Sequence, residues 1–178
     1  TSPFLDGTTR GEGYLRYADL NNDGKITSVD RTIIGSPLPK FTYGFNTSLE
    51  FYNIRLSIQA VGSYGSNIYN LNNMYDYYTG QASNNVRRKA VYEAWTPDNP
   101  TAMMPGFGKL SSLEQTSNTS LFVEDGSYLQ IKNVSLSYLL EFRRKAAKII
   151  KSVDFGLSCG NLYTFTKYSG WTPRTRNT

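Results

Sequence analysis

The chain has 178 residues, a net charge of +5, 14 Tyr and 9 Phe, one cysteine and no histidine. The missing histidine excludes His-based acid–base catalysis, the usual serine and cysteine triads and most zinc sites, and the single Cys159 excludes an internal disulfide and reads as a small apolar packing residue. The positive excess sits in Arg87, Arg88, Lys89 and the run from Arg143 to Lys151, which without any nucleic-acid motif reads as solvated basic turns.

No run of about 18 apolar residues is present, so no helix is expected to span a membrane. A membrane β-strand needs only about 9–11 residues with alternate ones apolar, and average hydropathy does not register it. Abundant Tyr, Thr, Ser, Asn and Gly favour strands and turns.

In chain order, residues 1–18 carry Gly7, Gly11 and Gly13 and read as irregular, with Tyr14, Arg16 and Tyr17 suited to a short strand. Asp19 to Asp30 then reads Asp-Leu-Asn-Asn-Asp-Gly-Lys-Ile-Thr-Ser-Val-Asp. Side-chain oxygens fall at loop positions 1, 3, 5, 9 and 12 (Asp19, Asn21, Asp23, Thr27, Asp30), with Gly24 at the sharp turn and the Lys25 carbonyl at position 7, the spacing of an EF-hand calcium loop. Position 12 is Asp30 rather than the longer Glu that reaches the ion with both oxygens, which implies a weaker or differently closed Ca2+ site. The other reading is a surface turn in which these side chains bond their own backbone. The five oxygen positions, the glycine and Ile26 together favour calcium.

Arg31 to Lys40, with Gly35, Pro37 and Pro39, reads as a connector. From Phe41 the period is strictly two. Phe41, Tyr43, Phe45, Thr47, Leu49 and Phe51 share one face, and Thr42, Gly44, Asn46, Ser48 and Glu50 the other. Beyond a tight turn at Tyr52 and Asn53, Ile54, Leu56, Ile58 and Ala60 alternate with Arg55, Ser57 and Gln59, which predicts a long antiparallel hairpin.

Residues 63–125 show no steady periodicity apart from helical spacing over Asn85 to Trp95. So long an excursion is usually functional. Tyr64, Tyr69, Tyr75, Tyr77, Tyr78 and Trp95 have two readings, a stacking surface for sugar rings or packing within the loop or a girdle, and the second is favoured. Tyr75, Tyr77, Tyr78 and Trp95 are the candidate substrate-binding residues. Glu124 and Asp125 are adjacent on extended chain, point to opposite faces and suit a strand-end turn better than a catalytic pair.

A second alternating pair follows. Val134, Leu136, Tyr138 and Leu140 share one face, and after the Glu141 to Ser152 connector come Val153, Phe155, Leu157 and Cys159. The tail after Phe165 reads as frayed. Such strands suit a β-sandwich or a membrane barrel equally on composition. Aromatics near strand ends, small polar residues on the wet face and alternating short and long connections match the barrel.

The runs Tyr14 to Ile26, Asp30 to Asn46, Gly65 to Asn70, Ala94 to Pro100, Val123 to Tyr138 and Gly160 to Gly170 resemble, in order, the C-terminal barrel part of the SusC/RagA-like TonB-dependent outer-membrane transporters of Bacteroidota. The resemblance implies a mainly β fold, antiparallel strands of a partial outer-membrane β-barrel with long extracellular loops and a short helix. It further implies a 22-stranded barrel with an N-terminal plug and a SusD-like surface lipoprotein as partner. Energy would come from TonB through the part this fragment lacks, and the cargo would be an oligosaccharide or peptide. The expected function is transport, with neither catalysis nor nucleic-acid binding. Tyr52 and Asn53 would then be a periplasmic turn, with Glu141 to Ser152 at the same side. The calcium loop (19–30) and the excursion (63–125) would lie outside the cell. The alternative is a soluble calcium-stabilised β module that binds carbohydrate or protein. A glycoside hydrolase using Glu93 or Glu114 is remote, since no separated acid pair is marked by its surroundings.

Overall fold

The computed structural model describes residues 11–77, 88–107, 109, 119–142 and 150–174. Tyr78, Glu114, Asn85 to Arg87 and most of the basic connector lie outside the described residues. The chain divides into two compact units, residues 1–35 with 69–123 and residues 36–68 with 124–178.

The second unit is one antiparallel sheet. Its strands are β1 (Phe41–Phe51), β2 (Ile54–Tyr64), β5 (Tyr128–Glu141) and β6 (Ser152–Thr166), in the order β1-β2-β5-β6. The fold is thus mainly antiparallel β with a few short helices, and among the described residues the sheet does not close into a barrel. The expected hairpin forms, with Phe51 opposite Ile54 and Tyr52 at φ 51° in the two-residue turn.

Register places every apolar run on one face. Leu49, Leu56, Leu136 and Leu157 fall in one row, and Thr47, Ile58, Val134 and Cys159 in the next. The opposite face carries Ser48, Ser57, Ser135 and Ser158, with Ser48 and Ser57 hydroxyls 3.2 Å apart. Among the described residues the apolar face stays exposed at Phe45, Leu49, Leu136 and Leu157. The buried hydrophobic side chains Met74, Ala94 and Phe122 all lie in the other unit. Cys159 is exposed on the apolar face, so it does not pack internally as its sequence reading had it.

Rings collect at both ends of that face. Phe41, Tyr43, Tyr64, Tyr163 and Phe165 lie at one end, with Phe41 and Tyr64 centroids 5.3 Å apart and Tyr163 and Phe165 4.7 Å apart. Phe51, Tyr138 and Phe155 lie at the other. The ten-residue step from Phe41 to Phe51 is about 34 Å of strand at ~3.4 Å per residue, and a tilt of about 40° leaves ~26 Å, close to the ~25 Å apolar band of an outer-membrane barrel. Gly62 lets the Tyr43 ring lie across β2, where a Cβ would overlap it, so that the Tyr43 hydroxyl reaches the Tyr128 carbonyl at 3.3 Å.

Two bulges interrupt the period of two. Register shifts at Gln59/Ala60 between β2 and β5, and at Ile131/Asn133 between β5 and β6, where Asn161 takes φ 52°. Strand β5 therefore runs past the point where alternation fails, back to Tyr128, while β2 runs in phase to Tyr64. The tail is not frayed. Glu124 accepts the Ser169 amide and hydroxyl, each at 2.8 Å, Arg174 donates to Gln130 at 3.0 Å, and Pro173 is buried.

The first unit has little regular structure. Tyr14 to Tyr17 form no strand, and a 3-10 turn spans Ser28–Asp30. Short strands β3 (Asn67–Tyr69) and β4 (Val123–Asp125) pair where the chain passes between the units. Helix α1 (Leu71–Tyr77) was not expected from periodicity, and α2 covers Arg88–Glu93 within the expected helix, which ends before Trp95. Asn70 starts α1 as its cap, its side chain accepting the Asn73 amide at 3.0 Å. Met74 and Phe122 form the small core, with Tyr69, Leu121 and Met104 against them.

Candidate functional site

The acidic loop has the backbone that its sequence demands. Gly24 takes φ 79° at position 6 and Asn22 takes φ 60°, conformations open to Gly and tolerated by Asn. Asp19 accepts the Gly24 amide at 2.8 Å and the Asp23 amide at 3.3 Å. Asn21 accepts the Asp23 amide at 3.0 Å, and Asp23 accepts the Lys25 amide at 2.8 Å. Asp30 closes the loop by accepting Leu20 at 2.9 Å and Thr27 at 2.7 Å, while Thr27 caps the 3-10 turn through Val29. The Thr27 amide bond holds the Asp30 carboxyl below its usual value, with the Leu20 and Asn21 amides adding to it against a desolvation that raises it.

This donor set suits a hard, oxygen-seeking cation, and each carboxylate oxygen that accepts one amide keeps a second lone pair. Among the described residues, however, no three carboxylates, imidazoles or thiolates converge as a cage. The loop side chains are exposed apart from those of Asp19, Ile26 and Asp30, which are half-buried. Backbone amides hold the loop's shape by themselves.

One side of this loop faces a cleft of about 1520 Å³ within the first unit. Leu20, Ile26, Thr27 and Asp30 form part of its wall, and Trp95, Met103, Met104 and Leu121 line it as well. Arg16, Arg31 and Tyr14, to which sequence reasoning gave no site role, also line it. Only their placement in space marks them, since they share no motif.

Of the candidate aromatic residues, the structure describes the surroundings of Tyr75 and Trp95. Tyr75 is 66% exposed on α1, Tyr77 ends that helix, and Tyr78 lies outside the described residues. Trp95 packs its ring over Gly13, where a Cβ would overlap it, and its amide donates to Met104 at 3.0 Å. That is the packing reading. Glu124 and Asp125 behave as strand-end caps. Asp125 accepts the Ser127 hydroxyl at 2.5 Å and amide at 2.9 Å, which together hold its carboxyl below the usual range. The Tyr168 phenol is raised, first by desolvation and then by the nearby Glu124 charge.

No protein-family profile matches the chain. It is 32% identical to TonB-dependent receptor P26 of Formosa agariphila over 156 residues, 88% of this chain and 16% of that protein. It is 33% identical to TonB-dependent receptor P3 of the same organism over 169 residues, 95% of this chain and 16% of that protein. The chain thus spans 16% of the length of either curated relative. A structure of the RagAB peptide transporter superposes with TM-score 0.67 and 26% identity over 79% of this chain and 15% of that one. The RagAB peptide importer in its closed-closed state gives 0.65 and 25% over 85% and 17%. The exposed apolar face with its two ring-bearing ends and these likenesses agree, and the chain belongs to the SusC/RagA-like TonB-dependent receptors of Bacteroidota.

Proposed function

We propose that this chain forms part of the wall and outer mouth of an outer-membrane importer. Strands β1, β2, β5 and β6 cross the membrane with Leu49, Leu56, Leu136 and Leu157 against lipid and the serine row toward the lumen. The observation that carries this reading is the exposed apolar face itself, which runs about 34 Å along the strand between ring-bearing ends at ~3.4 Å per residue. The Tyr52 turn and the Phe142 to Lys151 connection share one end of the sheet. Short connections mark the periplasmic side, so the acidic loop and residues 63–125 lie outside the cell, at the C-terminal part of the full barrel.

The cargo is a peptide. The RagAB likeness supports this. An oligosaccharide is the other outcome of an uptake assay. A SusD-like lipoprotein covers the mouth, and TonB acts through a part of the receptor other than these strands. Asp19, Asn21, Asp23, Lys25, Thr27 and Asp30 hold Ca2+, which would brace the loop that leads into β1; the spacing of the five side-chain oxygens around Gly24 supports that reading, while the amide bonds they accept fit a bare turn equally.

Orientation is tested with Tyr52→Cys and Asn22→Cys in the transporter on intact cells. A membrane-impermeant maleimide is expected to label Asn22→Cys and spare Tyr52→Cys, and the reverse pattern sinks the topology. For calcium, a calorimetric titration of the parent and of Asp23→Ala should differ, and identical heats defeat the assignment.

A further inference from the structure

The apolar face of the sheet carries a recess of about 380 Å³, lined by Ile54, Leu136, Tyr138, Phe155 and Leu157 together with Ser137 and Gly156. It lies at the end of the sheet that holds the Tyr52 turn, between the row of Tyr138 and Phe155 and the row of Leu136 and Leu157. The lining side chains are exposed, Leu157 to 76% and Phe155 to 60%.

Charge is asymmetric above it. The β5 and β6 ladder continues past Glu141 and Ser152 through the Phe142 amide, which donates to the Lys151 carbonyl at 3.0 Å. Alternation along β6 therefore puts Lys151 on the side of Val153, Phe155 and Leu157, while Glu141 and Asp154 fall on the polar face. Lys151 stands roughly 13 Å along the strand from Phe155 at ~3.3 Å per residue. That separation suits a lysine that snorkels to a headgroup above an acyl chain.

We infer that this recess and Lys151 form a binding site for an anionic glycerophospholipid, with an acyl chain between Tyr138 and Leu157 and the phosphate at Lys151. The site rests on the orientation proposed above, which makes this end periplasmic and its leaflet one of phospholipid. It differs from general wetting by lipid because an anionic headgroup is preferred and a single cation sets much of the preference.

The test uses the transporter that carries this stretch, in vesicles, with Leu136→Trp as reporter and the parent as background for Trp95 and Trp171. Brominated phosphatidylglycerol is expected to quench the reporter with about fivefold higher apparent affinity than brominated phosphatidylcholine, and Lys151→Gln to bring that ratio close to one. Equal affinity for the two lipids, or a ratio unchanged by Lys151→Gln, overturns the site. If Leu136→Trp does not assemble, Leu157→Trp reports from the opposite wall. Failure of the orientation is separate: it shows as external labelling of Tyr52→Cys and leaves the lipid ratio untouched.

Discussion

The two units solve the same problem in opposite ways. In residues 36–68 and 124–178 a long hydrogen-bonded ladder presents large apolar side chains outward, Phe45 at 58% and Leu157 at 76% exposure. In residues 69–123 a few short elements surround Phe122 and Met74, which are almost wholly buried. The first arrangement is stable only if something apolar covers its face, because exposed greasy surface of that extent carries a large transfer cost in water. The second is an ordinary aqueous core, small and held as much by caps as by packing. On the proposed reading, a single chain meets two solvents, lipid at the sheet and water around Phe122 and Met74.

Substitutions that are mild in one unit should be severe in the other. The largest effect is expected from Phe122→Ala, which empties the small core and should destabilise the first unit by about 3–5 kcal/mol, read as earlier proteolytic cutting within residues 69–123. Next is Ile58→Arg, in the mid-depth row of the apolar face, expected to cost about 2–4 kcal/mol in a bilayer, while Ser57→Arg on the polar face should change urea unfolding in vesicles little. Comparable losses for the two arginines would mean that both faces meet the same medium. A smaller effect, about 1 kcal/mol, is expected for Asn70→Ala, which removes the cap of α1. It should raise hydrogen exchange in Leu71–Tyr77 and leave the sheet unchanged.

The smallest is a pH effect. Asp30 and Asp125 have folded pKa values lowered by the amides and hydroxyls that they accept. Their contributions are therefore fully present above the unfolded carboxylate range and are lost as pH falls through the lowered folded values. Loop order followed by proton exchange broadening should hold from pH 7 to about 5 and decline below ~4. Loss beginning near pH 6 would contradict the assigned causes.

Much of the sheet was legible because alternation of apolar and polar residues is a local signal. Phe41 to Phe51 gave the face, the turn and the register of the hairpin directly. Alternation became unreadable in β5, where Lys132 is one extra residue against β2 and flips the parity, so the continuation back to Tyr128 was hidden, while β2 runs in phase through Gly62 to Tyr64. Helix α1 was hidden for a different reason. Leu-Asn-Asn-Met-Tyr-Asp-Tyr has weak helix propensity, and the Asn70 cap and the burial of Met74 hold it. The tail looked loose because Gly170 and Pro173 are breakers, while its anchor, Glu124, is 45 residues away. The acidic loop was legible as a shape, since Gly24 and Asn22 take the expected turns. The cleft was not, because Arg16, Arg31 and Trp95 meet only in space.

The most direct test of a sheet with one lipid face is paired tryptophan scanning in the transporter reconstituted with brominated phospholipid. Ile58→Trp and Ser57→Trp are neighbours in β2 that point to opposite faces. Strong quenching at position 58 and little at position 57 is the expected result. Equal quenching at the two positions, or stronger quenching at 57, would contradict it.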